Sequence, residues 1–185
     1  MNKITSDPHE LTVALKGAAN AKSWILLDID ETVIDPDQNL IDDKLPAFIK
    51  KHKNVAFLTA RPATNDSAQH TIARLKKELG WDTHCTDCCR KSGNFMACET
   101  HSFPLILTSG HSKGHAISTW FKARGIKPGH IIFADDQDGY LRHMERDLDL
   151  QPRPRLTLIK MQRKNPYAFM QDFFDGLFHD KTIGV

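Results

Sequence analysis

Five short runs of almost continuously apolar residues constrain the fold of this 185-residue chain more than any other feature. The runs are SWILLDI, NVAFLTA, FPLILTS, HIIFADD and RLTLIKM, and segments with helical spacing separate several of them. A strand with one face in water alternates apolar with polar residues, whereas a strand covered on both faces is apolar throughout. The sequence therefore predicts an α/β fold, in which helices cover both faces of a mostly parallel sheet.

Two of the intervening segments have recognisable helix boundaries. TNDSAQHTIARLKKELG opens on capping-type residues, places Ile72, Leu75 and Leu79 on one side, and stops at Gly80. SKGHAISTWFKARGIKPG has Ser112 as its candidate N-cap and is closed by glycine and proline. Further helices are expected over residues 8–19 and 166–178.

Composition and charge agree with one globular domain over residues 1–185. Hydrophobic residues make up 40% of the chain and charged residues 26%, and the formal net charge of +2 is too small to indicate nucleic acid or membrane binding. No apolar run approaches the roughly 18 residues of a membrane span. The first residues, MNKITSDPHELTVALK, lack the apolar core of a signal peptide. We therefore expect a soluble, cytoplasmic protein.

Polar side chains follow three of the apolar runs at the point where each predicted strand ends. They are Asp28 with Asp30, Thr59, and Asp135 with Asp136. In an open α/β sheet, ligands bind outside the carboxyl ends of the strands, so these groups are expected to converge. Lys113 lies at the start of a predicted helix, where backbone amides favour anions. A site of this composition suits phosphate together with a divalent cation.

Four segments resemble, in order, the motifs of the haloacid dehalogenase (HAD) superfamily, and specifically its aspartate-based phosphatases. LLDIDETV is similar to the strand followed by DxDx(T/V), FLTAR to the strand ending in Thr or Ser, SKG supplies the lysine, and IIFADD supplies the acidic motif. The matched segments extend from about residue 24 to residue 141. The resemblance implies a Rossmann-like three-layer sandwich and a phosphomonoester hydrolase.

The resemblance also implies a role for each matched residue. Asp28 would be the nucleophile that forms an aspartyl-phosphate, and Asp30 the general acid and base. Thr59 and Lys113 would hold the oxygens of the transferring phosphoryl group. The implied Mg²⁺ ligands are the Asp28 carboxylate, the backbone carbonyl of Asp30, and Asp136, with Asp135 as a further ligand or as a partner of the ligands.

Two other acids near the motifs are less clearly assigned by the sequence. Asp138 either supports the metal site or caps the helix that follows it. Glu31 has no catalytic counterpart in the superfamily, and we expect it to cap a turn or contact solvent.

The space available for insertions indicates the size of the substrate. HAD enzymes choose substrates largely through cap domains, but only about thirty residues separate Asp28 from Thr59, and residues 81–102 can form only a small lid or hairpin. An open site suits a large phosphorylated molecule, and we expect a phosphoprotein, with phosphotyrosine favoured. The alternatives are a small-metabolite phosphatase, a polynucleotide 3'-phosphatase, a dehalogenase, and a catalytically silent HAD-like binding module.

All four cysteines lie within residues 85–98. This clustering differs from the dispersed spacing of a secreted disulfide scaffold, so we expect either free thiols or a metal site. Cys85 and Cys88, followed by Cys98 and His101, have spacings that suit a structural Zn²⁺ site.

A basic segment lies near the C-terminus and comprises Arg153, Arg155, Lys160, Arg163 and Lys164. We expect it to form either a solvated face or a contact with an anionic partner, such as lipid headgroups or a nucleic-acid backbone.

Overall fold

The computed structural model describes residues 1–80, 88–100 and 102–162. Eight strands in this part of the chain form one sheet. They are β1 (Asn2–Ser6), β2 (Trp24–Leu27), β3 (Val55–Thr59), β4 (Cys89–Ser92), β5 (Phe95–Glu99), β6 (Pro104–Leu107), β7 (His130–Asp135) and β8 (Arg155–Met161).

The sheet is mostly parallel, as the sequence predicts. Its strand order is β1-β8-β7-β2-β3-β6-β5-β4. In this spatial order, neighbouring strands pair in parallel from β1 as far as β6. At the far edge of the sheet, β5 pairs antiparallel with β6, and β4 pairs antiparallel with β5 to form a hairpin. The five apolar runs of the sequence correspond to β2, β3, β6, β7 and β8, which confirms them as strands.

Helices connect the parallel strands. They are α1 (Leu11–Ala18), preceded by a 3₁₀ turn over Pro8–Glu10, α2 (Leu45–Ile49), α3 (Asn65–Leu79), α4 (Lys113–Ala123) and α5 (Asp138–Asp147). Thr64 caps α3 by accepting a hydrogen bond from the backbone N–H of Ser67, and Gly80 ends α3 in the left-handed conformation at φ 62°. Ser112 caps α4 through the N–H of His115, as predicted.

The core consists of two apolar clusters, one on each face of the sheet. Because side chains alternate along a strand, Ile25 and Leu27 of β2 pack with α1, α2 and α3, whereas Leu26 packs with α4 and α5. Both faces of the central strands are thereby buried. The α/β class and the helix–sheet–helix layering expected from the sequence are confirmed.

Three strands, β1, β4 and β5, have no counterpart among the predicted apolar runs. β1 has the polar sequence NKITS, and β4 has the sequence CRKS, and both lie at an edge of the sheet where exposed side chains are tolerated. Among the described residues, no helix is long and apolar enough to cross a membrane. The predicted helix over residues 166–178 lies outside the described residues.

Candidate functional site

The central strands bring the predicted site residues to one edge of the sheet. β2 lies between β3 and β7, and all three run parallel, so their carboxyl ends are adjacent. Asp28 directly follows β2, Thr59 is the last residue of β3, and Asp135 is the last residue of β7. The structure therefore places these groups on neighbouring strands at the position where open α/β sheets bind ligands.

A buried lysine joins two of these strands. Lys113, the first residue of α4, has a fully buried side chain, and its Nζ donates to Asp28 Oδ1 at 2.6 Å and to Asp135 Oδ2 at 2.7 Å. The aromatic ring of Tyr140 lies 4.3 Å from this ammonium group. Burial opposes the charged form, but the adjacent carboxylates of Asp28 and Asp135 raise the pKa of Lys113 above its usual value.

The start of α4 is held in place by close contact with α5. Ser112 Oγ donates to Asp147 Oδ2 at 2.6 Å. A Cβ atom added to Gly114 would lie 2.8 Å from the backbone oxygen of His143 and 3.1 Å from the backbone of Leu148. Only glycine permits this approach, which fixes the position of the adjacent Lys113.

The two carboxyl groups beside Lys113 are perturbed by their surroundings. Burial raises the pKa of Asp28 from 3.8 to about 7, although the positive charge of Lys113 opposes the change. Burial also raises the pKa of Asp135, whose Oδ1 accepts a hydrogen bond from the N–H of Gln137. Strongly perturbed carboxyl groups that cluster at a strand edge are typical of functional sites.

The donor set at this edge fits a hard divalent cation. Asp28, Asp135 and Asp136 are all buried, and each offers a carboxylate oxygen that lies within 4.8 Å of those of the other two. When all three are ionised, their charge exceeds that of Lys113 by two negative charges, and a divalent cation matches this excess. Oxygen-only ligands of this type favour Mg²⁺ or Ca²⁺ over softer metals.

Asp30 lies outside this buried group. Its side chain is 51% exposed, and both of its carboxylate oxygens accept hydrogen bonds from the guanidinium of Arg61. The FLTAR segment contains Arg61, but the resemblance to the HAD motifs implies no role for this residue. The signal available was its position two residues after Thr59, at the end of a strand adjacent to the one that precedes Asp30.

The remaining predicted residues near the site have structural contacts. Thr59 is buried, and its Oγ1 accepts a hydrogen bond from the N–H of Arg61 at 3.3 Å. Asp138 is the first residue of α5 and pairs with Lys160 at 3.1 Å, and it is not the N-cap, which is Gln137. Glu31 adopts a positive φ of 57° in the turn that follows Asp30.

The expectation of free thiols or a zinc site is wrong for the cysteines that the structure describes. Cys98 is bonded to Cys89 in a disulfide across the β4–β5 hairpin, and Cys88 is also disulfide-bonded. A sulfur in a disulfide is not a thiolate, so Cys88 and Cys98 do not act as Zn²⁺ ligands. Cys85 and His101 lie outside the described residues. Disulfides are rare in the cytosol, so these cysteines do not add support to the cytoplasmic location expected from the sequence.

The basic segment near the C-terminus makes contacts within the chain. Lys160 Nζ donates to the backbone oxygen of Asp136 at 2.5 Å, and Arg153 donates to the backbone oxygen of Glu145 at 2.7 Å. Arg155 lies beside His130. Arg163 and Lys164 lie outside the described residues. The described members therefore contribute to the fold, and their contact with an anionic partner stays a prediction.

Comparison with known proteins identifies a family for the chain. A family described as "Protein of unknown function (DUF2608)" matches residues 39–152, which is more than half of the chain. The chain belongs to this family. The matched range contains Thr59, Lys113, Asp135 and Asp136, whereas Asp28 and Asp30 precede it. No curated protein and no solved structure matched the chain.

Proposed function

We propose that this DUF2608 chain is a Mg²⁺-dependent phosphomonoesterase of the HAD type that acts through an aspartyl-phosphate on Asp28. The observation that carries the proposal is the pair of hydrogen bonds from the buried Lys113 ammonium to Asp28 and Asp135. Removing a lysine and two carboxylates from water lowers the stability of the fold, even though the charges pair with one another. A role in catalysis would explain why the chain keeps them. The same carboxylates, with Asp136, form the oxygen cluster suited to a divalent cation.

Two features support Asp28 as the nucleophile. One oxygen, Oδ1, is held by Lys113, and the residue follows β2 at the ligand-binding edge. In the first step the Asp28 carboxylate attacks phosphorus, an O–P bond forms, and the bond from phosphorus to the substrate oxygen breaks. Water then attacks the aspartyl-phosphate, which releases phosphate and regenerates the carboxylate. Dividing the displacement in this way replaces one difficult step by two easier ones.

Asp30 is the residue proposed to move protons. Its carboxyl group is exposed beside the buried nucleophile, where it can donate a proton to the departing oxygen and later accept one from the attacking water. Lys113 has three N–H donors, two of which are directed at Asp28 and Asp135, and we assign the third to a phosphoryl oxygen of the bound substrate. Thr59 would hold a second phosphoryl oxygen through its hydroxyl or through the backbone beside it.

Asp28, Asp135 and Asp136 would hold the Mg²⁺ ion, with the backbone carbonyl of Asp30 as a further ligand. When bound, the ion offsets negative charge that accumulates between the nucleophile and the phosphoryl group. Its binding also favours the ionised form of Asp28, which burial alone disfavours.

The substrate is proposed to be large, with phosphotyrosine in a protein favoured. The described part of the predicted lid, residues 88–100, forms the hairpin β4–β5, and this hairpin extends the sheet beyond β6 instead of crossing the central strands. The edge at Asp28 is therefore not covered by that hairpin. A site that this hairpin leaves open accommodates a phosphorylated side chain on a protein more readily than it encloses a small metabolite.

The test is hydrolysis of phosphate monoesters by wild-type protein and by Asp28→Asn, in Mg²⁺ and in chelator. The panel contains a nitrophenyl phosphate, phosphotyrosine, phosphoserine and phosphothreonine peptides, sugar phosphates, nucleotides and 3'-phosphorylated DNA ends. We expect Mg²⁺-dependent turnover that falls on the order of 10⁴-fold in Asp28→Asn. Asp37→Asn, in an exposed loop of the same segment, serves as the matched control.

Full activity in Asp28→Asn would refute the nucleophile, and turnover that ignores chelation would refute the metal requirement. Absence of turnover on every ester would instead favour the silent binding module.

A further inference from the structure

The contact between Arg61 and Asp30 is a two-point ion pair. Arg61 Nε donates to Asp30 Oδ2 at 3.0 Å, and Arg61 Nη2 donates to Asp30 Oδ1 at 2.6 Å. Two parallel hydrogen bonds from one planar guanidinium fix both the distance and the orientation of a carboxylate, which a single contact does not. The two residues are 31 positions apart in sequence, so the fold, not local structure, creates the pair.

Arg61 is itself anchored by a helix. Its remaining terminal nitrogen, Nη1, donates to Thr71 Oγ1 at 3.1 Å, and this hydroxyl donates in turn to the backbone oxygen of Ser67 at 2.7 Å. Thr71 is fully buried on α3. At the other end of the residue, the Arg61 N–H donates to the hydroxyl of Thr59. The guanidinium therefore has a fixed position, determined by α3 and by the end of β3.

Asp30 is less constrained by burial than Asp28. Its side chain is half-exposed, in contrast to the buried Asp28 two positions earlier. An exposed aspartate on a turn samples several rotamers, whereas a general acid must lie within hydrogen-bond reach of the oxygen it protonates. The arginine supplies the restraint that burial supplies to Asp28.

We infer that Arg61 is a positioning residue, which holds the Asp30 carboxyl group in the orientation required for proton transfer. The inference rests on the proposed function, because it gives Arg61 a role only in steps that use Asp30. Each carboxylate oxygen has two acceptor positions, so the contacts with Arg61 leave a lone pair of Asp30 to carry the proton that it donates to the departing oxygen and later regains from water. Arg61 acts through Asp30 and forms no bond to the transferring phosphoryl group.

This role makes a prediction that a merely structural role does not. A nitrophenolate departs without a proton, whereas an alkoxide does not, so only the alkyl ester depends on a general acid. Arg61→Gln should therefore lower the rate constant for aspartyl-phosphate formation from an alkyl phosphate by about 10²-fold, the lower end of typical general acid–base contributions. On a nitrophenyl phosphate, the same rate constant should change less than threefold. Single-turnover measurement is needed on both esters, because the later attack of water uses Asp30 whichever ester was bound.

A double-mutant comparison isolates the dependence on Asp30. In an Asp30→Asn background, Arg61→Gln should cause less than a twofold further loss on the alkyl ester, because the group it positions is already absent. Arg61→Lys should recover only part of the activity, since an ammonium group makes a single contact in place of the fork. Arg74→Gln, which removes an ion pair on α3 with Glu78, is the matched control and should leave leaving-group dependence unchanged.

Folding of the variants is checked by circular dichroism and by Mg²⁺-dependent binding of beryllium trifluoride, an analogue of the phosphoryl group on Asp28. If Arg61→Gln does not fold, Thr71→Val replaces it. This change removes the third hydrogen bond of the guanidinium and the bond from the hydroxyl to Ser67, but it keeps both bonds from Arg61 to Asp30. Thr71→Val should then slow aspartyl-phosphate formation from the alkyl ester more than from the nitrophenyl ester.

The outcomes separate the two proposals. If the wild-type protein hydrolyses no ester, the proposed function fails and the role of Arg61 fails with it. If the wild type is active, equal losses in the rate constant for aspartyl-phosphate formation on both esters overturn the inference alone. A further loss in the Asp30→Asn background, or a raised KM with unchanged leaving-group dependence, also overturns it, the latter by assigning Arg61 to substrate binding.

Discussion

Asp28→Asn is expected to abolish a pH dependence of stability that the buried Asp28 carboxyl group imposes on the metal-free protein. Burial raises the pKa of this group from 3.8 to about 7. Between these two values, the folded chain holds a proton on Asp28 that the unfolded chain has already released. Stability therefore falls as pH rises through this window, because the free energy of unfolding decreases wherever the folded state binds more protons.

The size of the effect follows from the pKa difference. A difference of about 3 corresponds to about 4 kcal/mol, at about 1.4 kcal/mol for each tenfold change. Lys113 does not cancel it, since the pKa of Lys113 is raised above 10.5 and its charge is constant throughout. The free energy of unfolding of Asp28→Asn should therefore rise, relative to wild type, by up to about 4 kcal/mol between about pH 4 and pH 8.

The assay is urea denaturation followed by tryptophan fluorescence, at several pH values and in the presence of chelator. Asp37→Asn, a change of the same type at an exposed position, should follow the wild type at every pH. Parallel pH profiles for wild type and Asp28→Asn would refute the reasoning, because they would show that the folded chain does not retain a proton on Asp28.

Three further predictions concern the site and its supports. Gly114→Ala should destabilise the fold by about 1–3 kcal/mol, since its Cβ meets backbone, whereas Gly129→Ala, which meets nothing within 4 Å, should change the denaturation midpoint little. Mg²⁺ binding near pH 7 should release about half a proton or more in wild type and less in Asp28→Asn, measured by calorimetry in two buffers. Burial and the nearby Arg155 lower the pKa of His130, so below about pH 6.5 the unfolded chain binds a proton that the folded chain does not, and stability is lost as pH falls. His130→Gln should lessen that loss, as measured by urea denaturation.

The central part of the fold could be predicted because its residues follow simple rules. Five strands are apolar on both faces, and α3 and α4 begin and end at capping residues whose geometry the structure shows. The edge strands could not be predicted in the same way. β1 and β4 are polar because an edge strand buries little of its surface, so they lack the apolar pattern that identifies a strand.

The cysteines illustrate a different difficulty. Four cysteines permit several pairings, and spacing alone does not choose among them or exclude a metal. The bond between Cys89 and Cys98 requires the register of the β4–β5 hairpin, in which these two residues are directly opposite. The two-residue turn at Gly93 and Asn94 sets that register, but the polar sequence of β4 gives no sign that a strand leads into the turn.

For the candidate site, the positions of the acidic residues after the apolar runs indicate which groups lie together, but not which cations compensate their charges. The short segment after β2 places Asp28 and Asp30 two residues apart, and the fold gives each its own cation from a different part of the chain. Asp28 is buried with Lys113 of α4, and Asp30 is exposed with Arg61, which α3 anchors. Two carboxyl groups held in such different environments are suited to different chemical tasks, because burial and solvent exposure determine when each group carries a proton. Exchanging the two cations by mutation should therefore impair both tasks, even though the net charge of the site is unchanged.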